Sequence, residues 1–109
     1  MCLTELIDST YNANIAKHQY AIVMFYADNC KECEYIKPAF EQMANNLAPQ
    51  QSIALFKVNA ALCPIVRLQV GVYSLPLLVV YHEGKPIIKK VIEQPYMIQE
   101  VADELAVAA

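Results

Sequence analysis

Seven consecutive residues, Ala21-Ile22-Val23-Met24-Phe25-Tyr26-Ala27, are apolar or aromatic without a break. A strand with one wet face would alternate polar and apolar side chains; a short unbroken run rich in β-branched and aromatic residues reads as a strand buried on both faces. Such a strand belongs to a sheet covered by helices on each side. The rest of the chain has to supply those helices.

It does so by periodicity. From Cys30 to Leu47, apolar side chains recur at Ile36, Phe40, Met43 and Leu47, with Glu34, Lys37, Glu41 and Gln42 between them. This is a helix with one buried stripe. Pro38 falls inside it, where a proline removes one backbone hydrogen bond and bends the axis, unless the helix boundary lies elsewhere. Upstream, Asp8-Ser9-Thr10 offers N-caps for a helix to about His18 that buries Tyr11, Ile15 and Ala16. Downstream, Ile53–Val58 reads as a second strand, about 62–70 as a helix, Leu77–Tyr81 as a third strand, and Ile87–Ile92 as its hairpin partner across the turn at 82–85. Pro95 suits the first position of a last helix burying Ile98, Val101 and Leu105. The order is strand or coil, α, β, α, β, α, β, β, α, with no repeat or linker.

With 109 residues, 57% of them hydrophobic and 17% charged, the chain reads as one domain over 1–109, with a buried centre. The net charge of −3 comes from interspersed acids and bases. That surface has no electrostatic footprint for nucleic acid or anionic lipid, so neither is an expected partner. The apolar stretches Tyr20–Ala27 and Leu75–Tyr81 are far shorter than the ~20 residues of a membrane helix. The N-terminus, Met1-Cys2-Leu3-Thr4-Glu5, lacks the basic and apolar regions of a secretory signal, and the expected compartment is the cytoplasm.

The chemistry concentrates at Cys30-Lys31-Glu32-Cys33, which follows the buried strand after the short loop Asp28-Asn29. A thiol at a helix N-terminus faces unpaired backbone N–H groups and the positive end of the macrodipole, and its pKa can fall from ~8.5 into the range ~3.5–7.5. Cys30, the outer thiol, is the expected nucleophile. Cys33, one turn inward, is placed to resolve a mixed disulfide on Cys30. Lys31 lowers and Glu32 raises the Cys30 pKa, and the two effects roughly cancel.

At this point the chain resembles the thioredoxin superfamily, including protein disulfide isomerase domains. The resemblance rests on Phe25-Tyr26-Ala27-x-x-Cys30-x-x-Cys33 with Pro38 beyond, then Lys57-Val58-Asn59-Ala60, then Val72-Tyr73-Ser74-Leu75-Pro76-Leu77 ahead of a strand and a Gly84 hairpin. It implies the α/β thioredoxin fold, a central mixed sheet of four to five strands with helices on both faces. It implies that Pro76 is a cis-proline beside the cysteine pair and that Leu75 offers backbone contacts to an extended substrate. Asn29, Lys31, Glu32 and Tyr73 complete the expected substrate-binding rim. The implied partners are protein disulfides and an electron-donor reductase, and no cofactor is implied.

Four departures accompany the resemblance. Asn29 stands where the family usually has Trp, and Lys31-Glu32 where Gly-Pro or Gly-His is common. Met24 occupies the place of a buried acid, and Ile92 that of a glycine near the last strand. Lys57 matches a family lysine near that acid. A thiol–disulfide oxidoreductase is therefore set against a binding module of the same fold with little turnover; the intact pair favours the first, Asn29 and Met24 the second. A metal or iron–sulfur role would need more thiolates than one chain groups together, since Cys2, His18, Cys63 and His82 are isolated in the sequence.

The remaining candidates have plain readings. Cys63, ahead of Pro64, is either a regulatory or dimer-forming thiol at a helix start or, the favoured reading, a small half-buried residue. Cys2 lies in a frayed terminus. His18 reads as a cation at a helix C-terminus, His82 as exposed beside a turn, and Met43 and Met97 as gap-filling core. Tyr26 and Tyr81 read as core or rim aromatics.

Overall fold

The computed structural model describes residues 3–47 and 52–108, with side chains described through residue 105. It contains β1 (Thr4–Glu5), α1 (Tyr11–Ala16), β2 (Tyr20–Tyr26), α2 (Lys31–Leu47), β3 (Ile53–Asn59), α3 (Pro64–Val70), β4 (Leu77–His82), β5 (Lys85–Val91) and α4 (Pro95–Ala108). The strands form one sheet in the order β1-β3-β2-β4-β5. β1 and β2 pair parallel with β3, whereas β4 runs antiparallel to β2 and to β5. This is the mixed, helix-flanked sheet expected from the sequence.

The apolar run sits where its composition requires, as the central strand β2. Its side chains alternate between two cores. Tyr20, Ile22 and Met24 meet Ile36, Phe40 and Met43 of α2 and Ile98, Val101 and Leu105 of α4. Ala21, Val23 and Phe25 meet Tyr11 and Ile15 of α1 and Val66 of α3 on the other face. Each face of β2 is thus covered by two helices, and no residue of it from Tyr20 to Phe25 is left wet.

Pro38 lies inside α2, which runs unbroken to Leu47. Pro38 and Glu34 are both exposed, so water can satisfy the Glu34 carbonyl that the proline cannot bond. The β4–β5 hairpin turns at Glu83-Gly84, both with positive φ (50° and 82°). Two such residues in succession match the twist of the paired strands, and the second position takes a glycine readily.

Several local expectations change. α1 stops at Ala16, which is exposed, and its N-cap is Thr10. The Thr10 hydroxyl does not cap the helix; it accepts from Ile7 N–H at 3.1 Å and donates to Ile7 C=O at 3.3 Å. Asp8 serves a different helix. Its carboxylate accepts from Ile65 N–H at 3.3 Å and Val66 N–H at 2.9 Å, the first turn of α3. α3 starts at Pro64, its N-cap Cys63 giving no side-chain cap. Cys63 is 2% exposed, so it is buried outright where the sequence predicts half-burial. β5 spans Lys85–Val91, with Ile92 just beyond it in the core.

His82 is half-buried rather than exposed, its ring stacked on Tyr20 at 4.6 Å. His18 lies two residues past the end of α1, 5.7 Å from the Phe56 ring, so it is a packing partner. Met43 is core and Met97 half-buried, its Sδ accepting from Glu93 N–H at 3.4 Å. Cys2 lies outside the described residues.

Candidate redox site

The cysteine pair is positioned by a turn that only a few residue types adopt comfortably. β2 ends at Tyr26, and the chain reverses into α2 through Asn29, whose φ of 59° is left-handed. Asn tolerates that region better than most side chains, because its short amide can bond locally. Asn29 therefore has a backbone role besides the rim position predicted from the sequence.

Cys30 follows directly and is half-exposed, its carbonyl accepting the first α2 hydrogen bond from Glu34 N–H at 3.1 Å. Cys33, one turn on, is 8% exposed. The two are joined as a disulfide with Cα atoms 5.2 Å apart, and Cys33 N–H donates to Cys30 Sγ at 3.1 Å. The outer sulfur is thus the one solvated by a helix N-terminal N–H. Lys31 and Glu32 are both exposed in the first turn.

The second wall comes from the loop after α3. The Leu75-Pro76 bond is cis, Pro76 is buried, and its carbonyl accepts from Ile92 N–H at 2.9 Å. Leu75 is half-buried against the α1/α3 core, while Tyr73 is 74% exposed. A cleft of about 370 Å³ brings Asn29, Cys33 and Pro76 together with Met24, Tyr26 and Lys57. Cys30, Lys31, Glu32, Tyr73 and Leu75 do not line it.

Sequence reasoning missed the charged wall of this cleft. Glu34, Lys37 and Glu41 of α2 line it, as does Asp28. Their spacing along α2 was visible, but it put them off the buried stripe and so read as a solvated face. Asp28 is tied to β3 by Asn59, whose Nδ2 donates to Asp28 Oδ2 at 3.4 Å while its Oδ1 accepts from Ala61 N–H at 3.1 Å. Tyr26 donates its hydroxyl to Glu5 Oε2 at 2.5 Å; burial, then the carboxylate, push that phenol well above its ordinary pKa. Among the described residues no group of three or more His, Cys, Asp and Glu could hold a metal ion, and no helix is long and apolar enough to cross a membrane.

Comparison with known proteins agrees with this geometry. Residues 3–104 match the Thioredoxin family. Mitochondrial thioredoxin-2 of Schizosaccharomyces pombe is 33% identical over 75 residues, which are 69% of this chain and 54% of that protein. The chain therefore matches little more than half of that relative's length. Thioredoxin of Staphylococcus haemolyticus (strain JCSC1435) is 30% identical over 95 residues, covering 87% of this chain and 88% of the relative. Among solved structures, oxidised thioredoxin from Plasmodium falciparum superposes with a TM-score of 0.86 at 19% identity, over 96% of this chain and 99% of that one. At that identity the likeness is one of fold.

Proposed function

The chain belongs to the thioredoxin family, and on that premise we propose that it is a thiol–disulfide oxidoreductase acting on protein disulfides through Cys30 and Cys33. The observation that carries the proposal is the asymmetry of the pair. One sulfur is half-exposed at the start of a 17-residue helix and the other buried one turn inward, within bonding reach.

In the reduced enzyme, the Cys30 thiolate is favoured by the α2 N-terminus and attacks one sulfur of a substrate disulfide. A Cys30–substrate disulfide forms, the substrate S–S bond breaks, and the leaving thiolate takes a proton from solvent. Cys33 then loses its proton and attacks Cys30 Sγ, releasing the second substrate thiol and closing Cys30–Cys33. Two electrons pass from the dithiol to the substrate, and an electron-donor reductase returns them. Asn29, Lys31, Glu32 and Tyr73 form the rim on which the substrate chain rests, with Leu75 and Pro76 as its floor.

Trapping tests the assignment. Cys33→Ser retains the nucleophile without the resolving thiol and accumulates mixed disulfides with target proteins; Cys30→Ser accumulates none. Equal trapping by both variants, or a wild type that does not reduce insulin disulfides, overturns it.

A further inference from the structure

The loop between α3 and β4 carries Tyr73, Leu75 and Pro76, and it is fastened at both ends to the end of β5. At the Pro76 end the fastening is the bond from Ile92 N–H to Pro76 C=O, 2.9 Å. At the other end it is a side chain. Lys89 Nζ donates to the carbonyl of Val70, the last residue of α3, at 2.9 Å.

The same ammonium lies 5.6 Å from the centre of the Tyr73 ring, within the ~6 Å range of a cation–π contact. It also sits over the turn that leaves the helix. Gly71 has φ 76°, and a Cβ there would come within 3.2 Å of Lys89 Nζ. Tyr73 is largely exposed, and among the described residues its hydroxyl makes no hydrogen bond. Lys89 is thus a polar contact that its ring does make.

We propose that Lys89 is a positioning residue for protein substrates: by holding the α3 terminus and the Tyr73 ring at once, it presets the rim on which a polypeptide lies beside Cys30. This rests on the oxidoreductase reading above. Presetting a rim reduces the ordering cost of binding an extended chain, so the effect belongs to KM. It does not reach the sulfur chemistry, and a small aromatic disulfide that needs no rim is indifferent to it.

The test is steady-state reduction of insulin with dithiothreitol as electron source, and single-turnover reduction of 5,5′-dithiobis(2-nitrobenzoate) by the pre-reduced protein freed of dithiothreitol, which would otherwise cleave that small disulfide directly. Lys89→Met keeps the aliphatic stem and removes the charge. It is expected to raise KM for insulin about fivefold, as loss of one exposed cation–π and carbonyl contact implies, with kcat changed less than about twofold. Lys89→Arg, which can still donate to the carbonyl and stack on the ring, restores KM. Tyr73→Leu raises KM by a similar factor, and the double variant adds little, because both act through one contact. Lys85→Met, at the far end of β5, controls for net charge and leaves KM alone. If the wild type turns over but Lys89→Met leaves KM unchanged, if arginine fails to restore it, or if the small disulfide slows equally, the Lys89 assignment is overturned alone. A wild type that does not reduce insulin overturns the oxidoreductase reading, and the role of Lys89 with it.

Discussion

Met24 of β2 and Lys57 of β3 stand opposite each other in the parallel register, and both line the cleft behind Cys33. A carboxylate at position 24 would have a cation as its cross-strand neighbour and the Cys33 sulfur in the same cleft; a thioether can move no proton. Met24 is itself buried beside this cleft and carries no group that could accept the Cys33 proton.

Met24→Asp is therefore expected to accelerate insulin reduction at neutral pH by about tenfold, short of the ~100-fold that a fully positioned proton-transfer group supplies. It also buries a charge, at a cost of about 1–3 kcal/mol, read as a lower melting temperature. Unchanged turnover in a folded variant would show that proton transfer at Cys33 does not limit the reaction.

Cys63 should be inert. Burial raises its thiol pKa, the neighbouring charge of Asp8 raises it further, and its Sγ points to the Leu6 carbonyl at 3.9 Å. With the protein reduced at pH 7, iodoacetamide followed by peptide mapping should label Cys30 and leave Cys63 unmodified until denaturant is added. Labelling of Cys63 at the Cys30 rate in the folded protein would refute this.

Asp8 caps α3 across 58 residues of sequence. Asp8→Ala should lower stability by about 1 kcal/mol, measured by urea titration, because two first-turn N–H groups lose their acceptor. Asp8→Asn retains an acceptor and should recover part of the loss. Equal loss from both variants would point to the charge rather than the hydrogen bonds.

Tyr11 and Tyr81 share a hydrogen bond of 2.7 Å between their buried hydroxyls. Burial, above all, raises both phenol pKa values, and at Tyr11 the bond to Tyr81 raises it further. A group whose folded pKa lies above its unfolded value, about 10 for tyrosine, stabilises the fold fully below that pH and loses the contribution as pH rises through the folded value. Stability should therefore be flat across neutral pH and fall above about pH 10. Tyr11→Phe should cost about 1–2 kcal/mol at pH 7 and make the alkaline fall shallower. A fall of the same steepness in Tyr11→Phe would show that the buried tyrosine pair is not its source.

The large features of this fold are written in local patterns. The β2 run, the α2 stripe, the Glu83-Gly84 turn and Pro95 each carry their own signal within a few residues, and each lies where the sequence puts it. The misplacements share a different cause. Asp8 has the composition of a local cap, but its partner lies beyond two strands and two helices, and no window along the chain contains both. His82 reads as exposed beside its turn because the ring of Tyr20 that covers it arrives from β2. The cysteine pair was legible from spacing, whereas its cleft was not, because Glu34, Lys37 and Glu41 become a wall only when β2 and β3 pass beneath α2. Lys89 gave no signal at all, since an exposed lysine on an edge strand is indistinguishable in sequence from one that reaches a carbonyl nineteen residues away.

The strand order β1-β3-β2-β4-β5 leaves the sheet open at both ends. An open edge offers unpaired N–H and C=O groups to any other extended chain, including the unfolded disulfide-bearing polypeptides such a protein would meet. One edge, β1, is two residues long, too short to template a partner. The other, β5, carries Lys85, Lys89 and Lys90, with Pro86 beside the register shift at Val80/Tyr81. Three cations and a residue without an N–H discourage strand addition there. Both edges of the sheet thus resist strand addition by another extended chain.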